Sequence, residues 1–386
     1  MPSLPVPDSL DKRLRVLFVP QWYPCNQGDN PASGTFCREH VKAAALYDEV
    51  AVLSFSARKE RKPTLRLDYW VDDEIPTFVA TYGHSPIPKS TLPFFLLHLR
   101  RAIGHVIRKW GYPDLIHTQD MRAFYVMKAA QRFQIPFIIS QHSSALRRRD
   151  LTPRTVRQLR WSFAQAATVL HVNPWAPLDY RYYKFHSNFC WLPNALDTGL
   201  FHPPYAMQRE PFLLHVSGFT PEKRFSDVVR AFARVRRARP SAQLEIVGES
   251  CNRPAAEALA AKQLPPASYH FHGFLNKEKV AELMRRASGL VLVSEFETFG
   301  CVLIESMACA CPVLTTQVGG IPAVVRQSEG LFVKVGDIEA ISNGMISLLD
   351  NNHSLDMGRI SHDTRRRFSY ATIGRLLHRE HLTAAA

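Results

Sequence analysis

Two series of short apolar segments, each alternating with stretches of helical period, constrain the fold of this sequence more than any other feature. The first series is Arg15–Val19, Glu49–Leu53, Asp114–His117 and Phe137–Ser140. The second series is Phe212–Val216, Gln243–Val247, Gly289–Val293 and Pro312–Thr315. This alternation is typical of right-handed βαβ units, in which parallel strands are covered by helices. We therefore expect an α/β protein with two doubly wound, Rossmann-like parallel sheets.

The segment Leu192–Pro204 separates the two series, because it is rich in chain-breaking residues and lacks a strand or helix period. The 386 residues also exceed what one ordinary core supports. We predict an N-terminal domain over residues 1–195, joined by a C-terminal helix over 368–386, and a C-terminal domain over 205–367. Ligands would meet the carboxyl ends of the strands, in a central cleft that the two domains face.

Lysine and arginine outnumber aspartate and glutamate by 48 to 34, which gives a formal charge of +14. This excess suits nucleic acid, an anionic membrane surface or a negatively charged small substrate, and composition does not choose among them. The seven cysteines are scattered and odd in number, which favours a reducing compartment. The N-terminal residues do not resemble a secretory signal, and no apolar run reaches the roughly 18–20 residues that span a bilayer. We expect a cytoplasmic protein, free or attached peripherally to the inner face of the cell membrane.

Each of two basic segments fits either a structural role or a role in binding. Thr91–Trp110 has apolar residues at helical spacing and four basic residues off that stripe, so it fits a membrane-surface helix or a helix that covers the sheet. The second interpretation is favoured, because a doubly wound sheet needs such covers. A second basic cluster follows a strand directly and fits a solvated face or a site for acceptor or lipid headgroups; it comprises Arg147, Arg148, Arg149, Arg154, Arg157 and Arg160.

The segment Ser294–Gly320 contains the strongest candidate site. An apolar strand, a tight turn and a helix start follow one another there, and amides at a helix N-terminus bind phosphate or sugar oxygens. Gly300 would let a ligand approach the backbone. Glu297 and Glu305 stand eight residues apart, one in the turn and one about two turns into the helix, so both can face a ligand. The alternative is a capping acid and a surface acid, which the apolar surroundings of Glu305 disfavour.

This segment resembles the Glu-x7-Glu motif of the retaining GT-B glycosyltransferases of family 4, and Pro312–Val325 resembles the strand and loop that follow the motif there. Three further segments match in the expected order. Pro24–Leu46 is similar to the first strand-to-helix loop, Pro136–Ser144 to a strand end that carries a histidine, and Leu214–Arg224 to the basic loop that opens the second domain. The resemblance covers nearly the whole chain.

In the N-terminal half, the resemblance implies roles for Gly34 and His142. Gly34 would let the chain turn beside the donor diphosphate and the acceptor. His142 would lie near the reacting sugar, although the residues alone favour a packed or capping histidine. His117, at the end of the preceding strand, is expected to be scaffold or acceptor lining.

In the C-terminal half, the resemblance implies that Lys223 neutralises the leaving diphosphate, a role that an ordinary exposed lysine would not have. Many family members carry an arginine five residues earlier, where this chain has Gly218, so Arg224 is the candidate for the second positive charge. Glu305 would bind the ribose hydroxyls and Glu297 a hydroxyl of the transferred sugar. The remaining donor contacts implied are the base-binding backbone at Gly273 and the helix start at Phe299, Gly300, Cys301 and Val302.

The resemblance implies transfer of a sugar from a UDP- or GDP-sugar to a saccharide or lipid-linked saccharide, in the synthesis of a cell-surface polysaccharide, lipopolysaccharide or glycolipid. Retention would proceed by front-face attack without an enzymic nucleophile. The sequence has no Asp-x-Asp triplet, so we expect no metal requirement. A sugar-nucleotide epimerase or a glycosyl phosphorylase on the same fold is the alternative. A nucleic-acid-binding protein is disfavoured, because no aromatic stacking platform or groove-binding helix is evident.

Overall fold

A computed structural model of the chain describes residues 12–24, 34–58, 65–83, 91–119, 122–206 and 208–386, without the side chains of residues 57, 58 and 91–93. The chain divides into two compact units. The N-terminal unit comprises Met1–Ala195 and Tyr370–Ala386, and the C-terminal unit comprises Leu196–Ser369. Each unit contains one sheet of its own.

Within the described residues, the sheet of the N-terminal unit has eight strands in the order β3-β4-β2-β1-β5-β6-β7-β8. These are β1 (Arg15–Val19), β2 (Glu49–Arg58), β3 (Leu65–Asp72), β4 (Ile75–Gly83), β5 (Leu115–Gln119), β6 (Phe137–Gln141), β7 (Val169–His171) and β8 (Phe189–Trp191). All neighbours pair in parallel except β3 and β4, which form an antiparallel hairpin. The sequence prediction missed this hairpin, because β3 alternates partly buried with exposed residues at the sheet edge and has no apolar run.

The helices of this unit are α1 (Thr35–Ala45), α2 (Thr91–Trp110), α3 (Ala123–Phe133), α4 (Ala145–Arg148), α5 (Pro153–Gln165), α6 (Ala176–Tyr182) and α14 (Tyr370–Ala385). They form two layers. Helices α2 to α6 bury side chains in one core cluster, which includes Ile103, Met127 and Phe163. Helices α1 and α14 bury theirs in another, which includes Val41 and Leu377.

Helix α2 has the bounds that its periodicity predicted. Leu99, Ile103 and Val106 from its apolar stripe are fully buried in the core, and Phe95 and Trp110 pack against it. The helix therefore covers the sheet, as the second interpretation of this segment stated. The described side chains of its apolar stripe therefore pack in the protein interior.

In the C-terminal unit, the described residues form a six-stranded, wholly parallel sheet in the order β11-β10-β9-β12-β13-β14. Its strands are β9 (Glu210–Val216), β10 (Gln243–Val247), β11 (Tyr269–Gly273), β12 (Ala287–Leu292), β13 (Val313–Thr316) and β14 (Leu331–Val333). Its helices are α7 (Phe225–Ala238), α8 (Arg253–Gln263), α9 (Lys277–Arg286), α10 (Cys301–Ala308), α11 (Ile321–Val324), α12 (Ile338–Leu349) and α13 (Met357–Phe368). The chain winds outwards from β9 to β11 and then from β12 to β14. The switch point, where ligands bind in such sheets, thus lies between β9 and β12.

A buried network of polar side chains holds α14 in the N-terminal unit. Asp48 lies 2.7 Å from the Nδ1 atoms of both His378 and His381. His381 Nε2 lies 3.1 Å from His117 Nδ1, and His117 Nε2 lies 2.7 Å from Ser140 Oγ. Since a carboxylate only accepts, the Nδ1–H groups of His378 and His381 donate to Asp48. His117 is therefore scaffold, as one of the two sequence interpretations held.

The charge on Asp48 is stabilised by these histidines. Burial alone would raise the pKa of this carboxyl, but the hydrogen bonds and charges of His381 and His378 hold its pKa below the ordinary value. Burial and the neighbouring His381 hold the pKa of His117 well below its ordinary value. The network therefore contains one buried negative charge that depends on histidine donors.

Removal of that charge should destabilise the N-terminal unit. Asp48→Asn cannot accept from two Nδ1–H groups without presenting an amide donor to one of them, so we expect a loss of about 3 kcal/mol of unfolding free energy. Denaturant unfolding measures the loss, and hydrogen exchange should show faster exchange in α14. Asp350→Asn, which removes an exposed carboxylate beside Arg239, is the control and should change stability little. Equal losses in the two variants would contradict the role of Asp48.

Acid should also destabilise the protein through its buried histidines. Burial lowers the pKa of His40 and of His215 to about 4, and that of His117 well below its ordinary value. Below the ordinary pKa of about 6.5, the unfolded chain binds protons that the folded protein excludes, so stability falls as the pH falls. We expect about 1 kcal/mol per buried histidine between roughly pH 7 and pH 5.5, measured by denaturant unfolding at each pH.

His117→Gln tests this pH dependence. It should reduce the slope of unfolding free energy against pH by the contribution of one buried histidine. His186, which is exposed, provides the matched control, and His186→Gln should leave the slope unchanged. A slope that is the same in all three proteins would contradict the assignment.

Candidate functional site

The loops that follow β9 and β12 meet at the switch point of the C-terminal unit. After β9 the chain forms a 3₁₀ turn over Pro221–Lys223 and enters α7. The backbone N–H of Glu295, in the loop after β12, donates to the carbonyl of Glu222 at 2.9 Å. Parallel strands end at the same edge of a sheet, so two loops whose contacting residues, Glu222 and Glu295, are 73 positions apart in sequence lie side by side here.

Lys223 and Glu297 form an ion pair between these loops. Lys223 Nζ lies 2.5 Å from Glu297 Oε1, and the hydroxyl of Ser294 donates to the same oxygen at 3.1 Å. The side chain of Glu297 is 8% exposed and that of Lys223 is 25% exposed. An ammonium has three N–H donors, and Glu297 is the one described acceptor for them. The pair can thus present positive charge to an anion and carboxylate oxygen to a hydroxyl.

The backbone of Glu297 is fixed by two glycines in the loop after β13. Gly320 N–H donates to the carbonyl of Glu297 at 2.9 Å. A Cβ atom at Gly319 would lie 1.9 Å from that carbonyl oxygen, and one at Gly320 would lie 2.2 Å from the carbonyl oxygen of Thr298. Any larger residue would displace the turn that carries Glu297. The Gly319-Gly320 sequence therefore orients the carboxylate through backbone contact.

Helix α10 begins directly after this turn. Gly300 occupies the N-cap position with φ 89°, and no side chain caps the helix. The first N–H groups of a helix lack intrahelical acceptors and carry the positive end of its dipole, so Cys301 and Val302 begin a place that suits an anion. Phe299 points elsewhere, because its ring is buried and packs edge-to-face on Phe368. A contact of Phe299 with ligand would have to use its backbone.

Glu305 lies just past the middle of α10, and its side chain is 15% exposed. It is the fifth residue of the helix, about one turn from the start, so the expected distance of two turns was wrong. Lys277 Nζ, at the start of α9, lies 3.6 Å from Glu305 Oε1. Sequence reasoning missed Lys277, since nothing in the local pattern pairs residues 28 positions apart.

Arg224 already has two carboxylate partners. Its Nε donates to Asp227 at 2.7 Å, and its NH1 lies 3.2 Å from Glu295 Oε2. These contacts raise the pKa of the guanidinium, chiefly through the hydrogen bond to Asp227. A Cβ atom at Gly218 would meet nothing within 4 Å. The role of Arg224 in binding phosphate stays a prediction. It would require Arg224 to exchange one of its carboxylate partners for the ligand.

Gly273 ends β11, beside the loop after β10. Its carbonyl accepts from Gly248 N–H at 2.9 Å, and a Cβ atom there would lie 2.8 Å from the Arg253 guanidinium. Arg253 also pairs with Glu249 and Glu257. The sequence prediction named only the backbone of Gly273, and the structure adds Arg253 as the cation next to it.

In the N-terminal unit, Gly34 and His142 lie at the same end of the sheet. Gly34 is the N-cap of α1, and the ring of Phe36 in the first turn of that helix contacts the ring of His142 at a tilt of 34°, with centroids 4.4 Å apart. Burial and the nearby ring of His40 hold the pKa of His142 well below its ordinary value, so the imidazole is neutral at pH 7. Residues 25–33 of the adjoining loop lie outside the described residues.

Two acidic residues that could be taken for metal ligands are paired instead. Asp72 and Asp73 both contact Arg38, and Lys42 contacts Asp73. In the part of the chain that the structure describes, no three His, Cys, Asp or Glu residues are placed to hold a metal ion.

Two family models match the chain and together span most of it. Residues 37–200 match Glycosyltransferase Family 4, and residues 202–373 match Glycosyl transferases group 1. The chain belongs to the family 4 glycosyltransferases. This confirms the resemblance inferred from the Glu-x7-Glu segment and the three segments before it.

Several named proteins are similar in sequence to this chain. It is 37% identical over 147 residues to N-acetyl-alpha-D-glucosaminyl L-malate synthase of Bacillus anthracis, an alignment that covers 37% of each chain. It is 25% identical over 260 residues to glycogen synthase of Mycobacterium tuberculosis, covering 63% of this chain and 62% of the relative. It is 27% identical over 315 residues to D-inositol 3-phosphate glycosyltransferase of Acidothermus cellulolyticus, covering 72% of this chain and 70% of the relative. The chain thus aligns with less than two thirds of the first two.

Solved structures share the fold of the glycosyltransferase over nearly its whole length. Sucrose-phosphate synthase of Thermosynechococcus elongatus has a TM-score of 0.72 at 21% identity and covers 95% of this chain and 97% of its own. HepE of Anabaena in complex with UDP-glucose has a TM-score of 0.74 at 16% identity, and the match covers 95% of this chain and 98% of HepE. The predicted fold class, GT-B with two Rossmann-like domains, is confirmed.

The ion pair of Lys223 and Glu297 should be energetically coupled. Each single substitution, Lys223→Met or Glu297→Gln, leaves a partly buried partner uncompensated, while the double variant does not. A double-mutant cycle of unfolding free energies should therefore give a coupling of about 1–2 kcal/mol. The exposed pair Lys279 and Glu282 is the control, and its cycle should show little coupling. Additive effects at both pairs would contradict the contact.

Proposed function

We propose that this glycosyltransferase is a retaining enzyme that moves a sugar from a UDP- or GDP-sugar to a hydroxyl of a saccharide or lipid-linked saccharide. The reaction would serve the synthesis of a cell-surface polysaccharide, lipopolysaccharide or glycolipid at an anionic membrane surface. The observation that carries the proposal is the Lys223–Glu297 pair beside the start of α10. It combines a cation, a carboxylate and helix amides in one place.

The leaving group would be stabilised by Lys223 and the helix start. A nucleoside diphosphate departs with developing negative charge, and fixed cations and amides lower the energy of that transition state. Lys223 is partly exposed, so it can reach a phosphate while it stays paired with Glu297, which Ser294 holds in place. The amides of Cys301 and Val302 would bind the same phosphates. Arg224 would add a second charge on leaving Glu295.

The carboxylates would orient the donor. Glu297 is hydrogen-bonded to Ser294 and held by the Gly319-Gly320 turn, so its outer oxygen could accept from a hydroxyl of the transferred sugar. Glu305 would accept from the ribose hydroxyls. The backbone at Gly273 would contact the base, with Arg253 beside it. Each role follows from an acceptor or donor that the C-terminal unit already positions.

Retention would not need a nucleophile from the protein. The bond between the anomeric carbon and the phosphate oxygen breaks, and the acceptor oxygen forms its bond on the same face. The proton of the acceptor hydroxyl passes to the departing phosphate oxygen. His142, neutral because of its low pKa, would accept a hydrogen bond from a sugar hydroxyl without adding charge. With Lys223 and helix amides on the phosphates, the step would proceed without a divalent metal.

The relatives support a nucleotide-sugar donor. HepE is described in complex with UDP-glucose, and the catalytic domain of starch synthase IV of Arabidopsis thaliana is described bound to ADP and acarbose. The names of the other relatives range over malate, inositol phosphate and glycogen, so they favour the reaction class more than a particular acceptor.

Donor binding can be tested by thermal shift with UDP-, GDP- and ADP-sugars, followed by a transfer assay that resolves the anomeric configuration. One nucleotide class should raise the melting temperature, because a ligand that binds the native state stabilises it. Lys223→Ala should lower kcat roughly 100- to 1000-fold. Lys279→Ala, an exposed lysine on the same unit, is the control. Chelation of divalent metal should leave the rate unchanged.

Other outcomes would overturn parts of the proposal. Conversion of the donor to an isomer would indicate an epimerase, and release of sugar phosphate in the presence of inorganic phosphate would indicate a phosphorylase. A product of inverted configuration would reject retention. Loss of activity on chelation, restored by magnesium, would reject metal independence.

A further inference from the structure

The excess positive charge of the chain is concentrated in one unit. The sequence of the N-terminal unit has 28 Lys and Arg against 16 Asp and Glu, whereas the C-terminal unit has 20 against 18. Within the N-terminal unit, helices α2, α3, α4, α5 and α6 together contain twelve basic residues and a single acidic residue, Asp179. These five helices therefore account for nearly all of the net charge.

The five helices lie on the same side of the sheet. All of them bury side chains in one core cluster, to which α1 and α14 do not contribute. Their outer sides consequently form a single surface, which we call the basic face. The exposed basic residues of these helices are Arg101, Arg108, Lys109, Arg132, Arg147, Arg148, Arg154, Arg157, Arg160 and Arg181.

The basic face has few carboxylates to neutralise it. Asp179 is buried and already lies 3.4 Å from Arg147 NH1. Arg154 and Arg157 form no ion pair with any residue that the structure describes. They line an open groove of about 470 Å³ together with Arg160 and the apolar side chains of Leu151, Pro153 and Val156. Guanidinium groups and apolar side chains thus line the same groove.

Exposed aromatic residues lie among these arginines. Trp175, Leu178 and Tyr182 are more than half exposed and follow helical spacing along one side of α6. Trp161 on α5 is 52% exposed. Cations cover two of the rings, with Lys128 Nζ 4.2 Å from the centroid of Trp161 and Arg149 3.3 Å from that of Tyr182. Trp and Tyr side chains favour the interface between water and lipid headgroups.

We propose that the basic face binds the surface of an anionic bilayer, with the arginines on lipid phosphates and Trp161, Trp175 and Tyr182 at headgroup depth. Charge complementarity and the interleaved aromatic residues favour this partner. In the described residues no helix is long and apolar enough to cross a membrane, so contact would be peripheral. The inference rests on the membrane attachment proposed above and names the surface that makes it. The apolar stripe of α2 does not take part, since it is buried in the core.

Vesicle sedimentation tests the proposal with the full chain. Wild type should bind vesicles of phosphatidylcholine with about 30% phosphatidylglycerol but not pure phosphatidylcholine, and salt of about 0.5 M should abolish binding. The triple variant Arg132→Gln, Arg154→Gln and Arg157→Gln should partition on the order of a hundred-fold more weakly, since each basic residue near the surface adds about fivefold. None of these three side chains has a described ion-pair partner.

The matched control is a triple variant of exposed arginines on α7, Arg230→Gln, Arg234→Gln and Arg237→Gln, which changes the net charge equally. It should bind like wild type. For the aromatic contribution, Trp175→Ser should weaken binding several-fold, and Tyr205→Ser, an exposed aromatic of the C-terminal unit, should not.

Three results would overturn the proposal. They are equal losses in the two arginine variants, equal binding to neutral and anionic vesicles, and retention on duplex DNA in place of vesicles. The melting-temperature response to nucleotide sugars should be the same in wild type and in both triple variants. A protein that binds vesicles but gives no such response rejects the donor proposal alone, so the two hypotheses fail separately.

Discussion

The switch point between β9 and β12 is the constraint on which the candidate site depends. Parallel pairing brings the carboxyl ends of these strands to the same edge, so the loop carrying Lys223 and the loop carrying Glu297 lie side by side. Strand β13, next to β12, brings the Gly319-Gly320 turn to that edge, and β11, next to β10, brings Gly273 there as well. A sheet wound in one direction only would place these loops at separate positions. The grouping of these residues in one candidate site is therefore a consequence of strand order.

Buried charge is used differently in the two units. In the C-terminal unit, Glu297 is buried against a lysine that stays partly exposed, so the pair remains accessible to a ligand. In the N-terminal unit, Asp48 is fully enclosed and its histidine partners are enclosed with it. The first arrangement suits exchange of partners, because a ligand can replace one of them. The second suits permanent attachment, and it fixes the last helix of the chain to the unit where the chain begins.

Charge also separates the two units. The C-terminal unit is nearly neutral although it carries the candidate phosphate site, because its 20 basic residues are almost matched by 18 acidic ones. Several of its arginines pair with carboxylates such as Glu210, Asp350 and Glu329. On the basic face of the N-terminal unit, Arg132, Arg154 and Arg157 form no ion pair with any residue that the structure describes, and the arginines there outnumber the carboxylates. A local cation is enough to hold a phosphate, whereas attraction to an extended anionic surface requires many charges that face the same way.

Sequence periodicity determined the α/β class, the eight named strands to within a few residues, and the bounds of α2, because these depend on local patterns of apolar residues. The family motifs marked Lys223, Glu297 and Glu305 through resemblance. The antiparallel β3–β4 hairpin, the pairing of Lys277 with Glu305, the position of Arg253 beside Gly273 and the link from Asp48 to His381 were decided by tertiary structure alone. Each of the three contacts joins residues whose separation in sequence bears no relation to their distance in space, and the edge strand β3 lacks the apolar run that local patterns reveal.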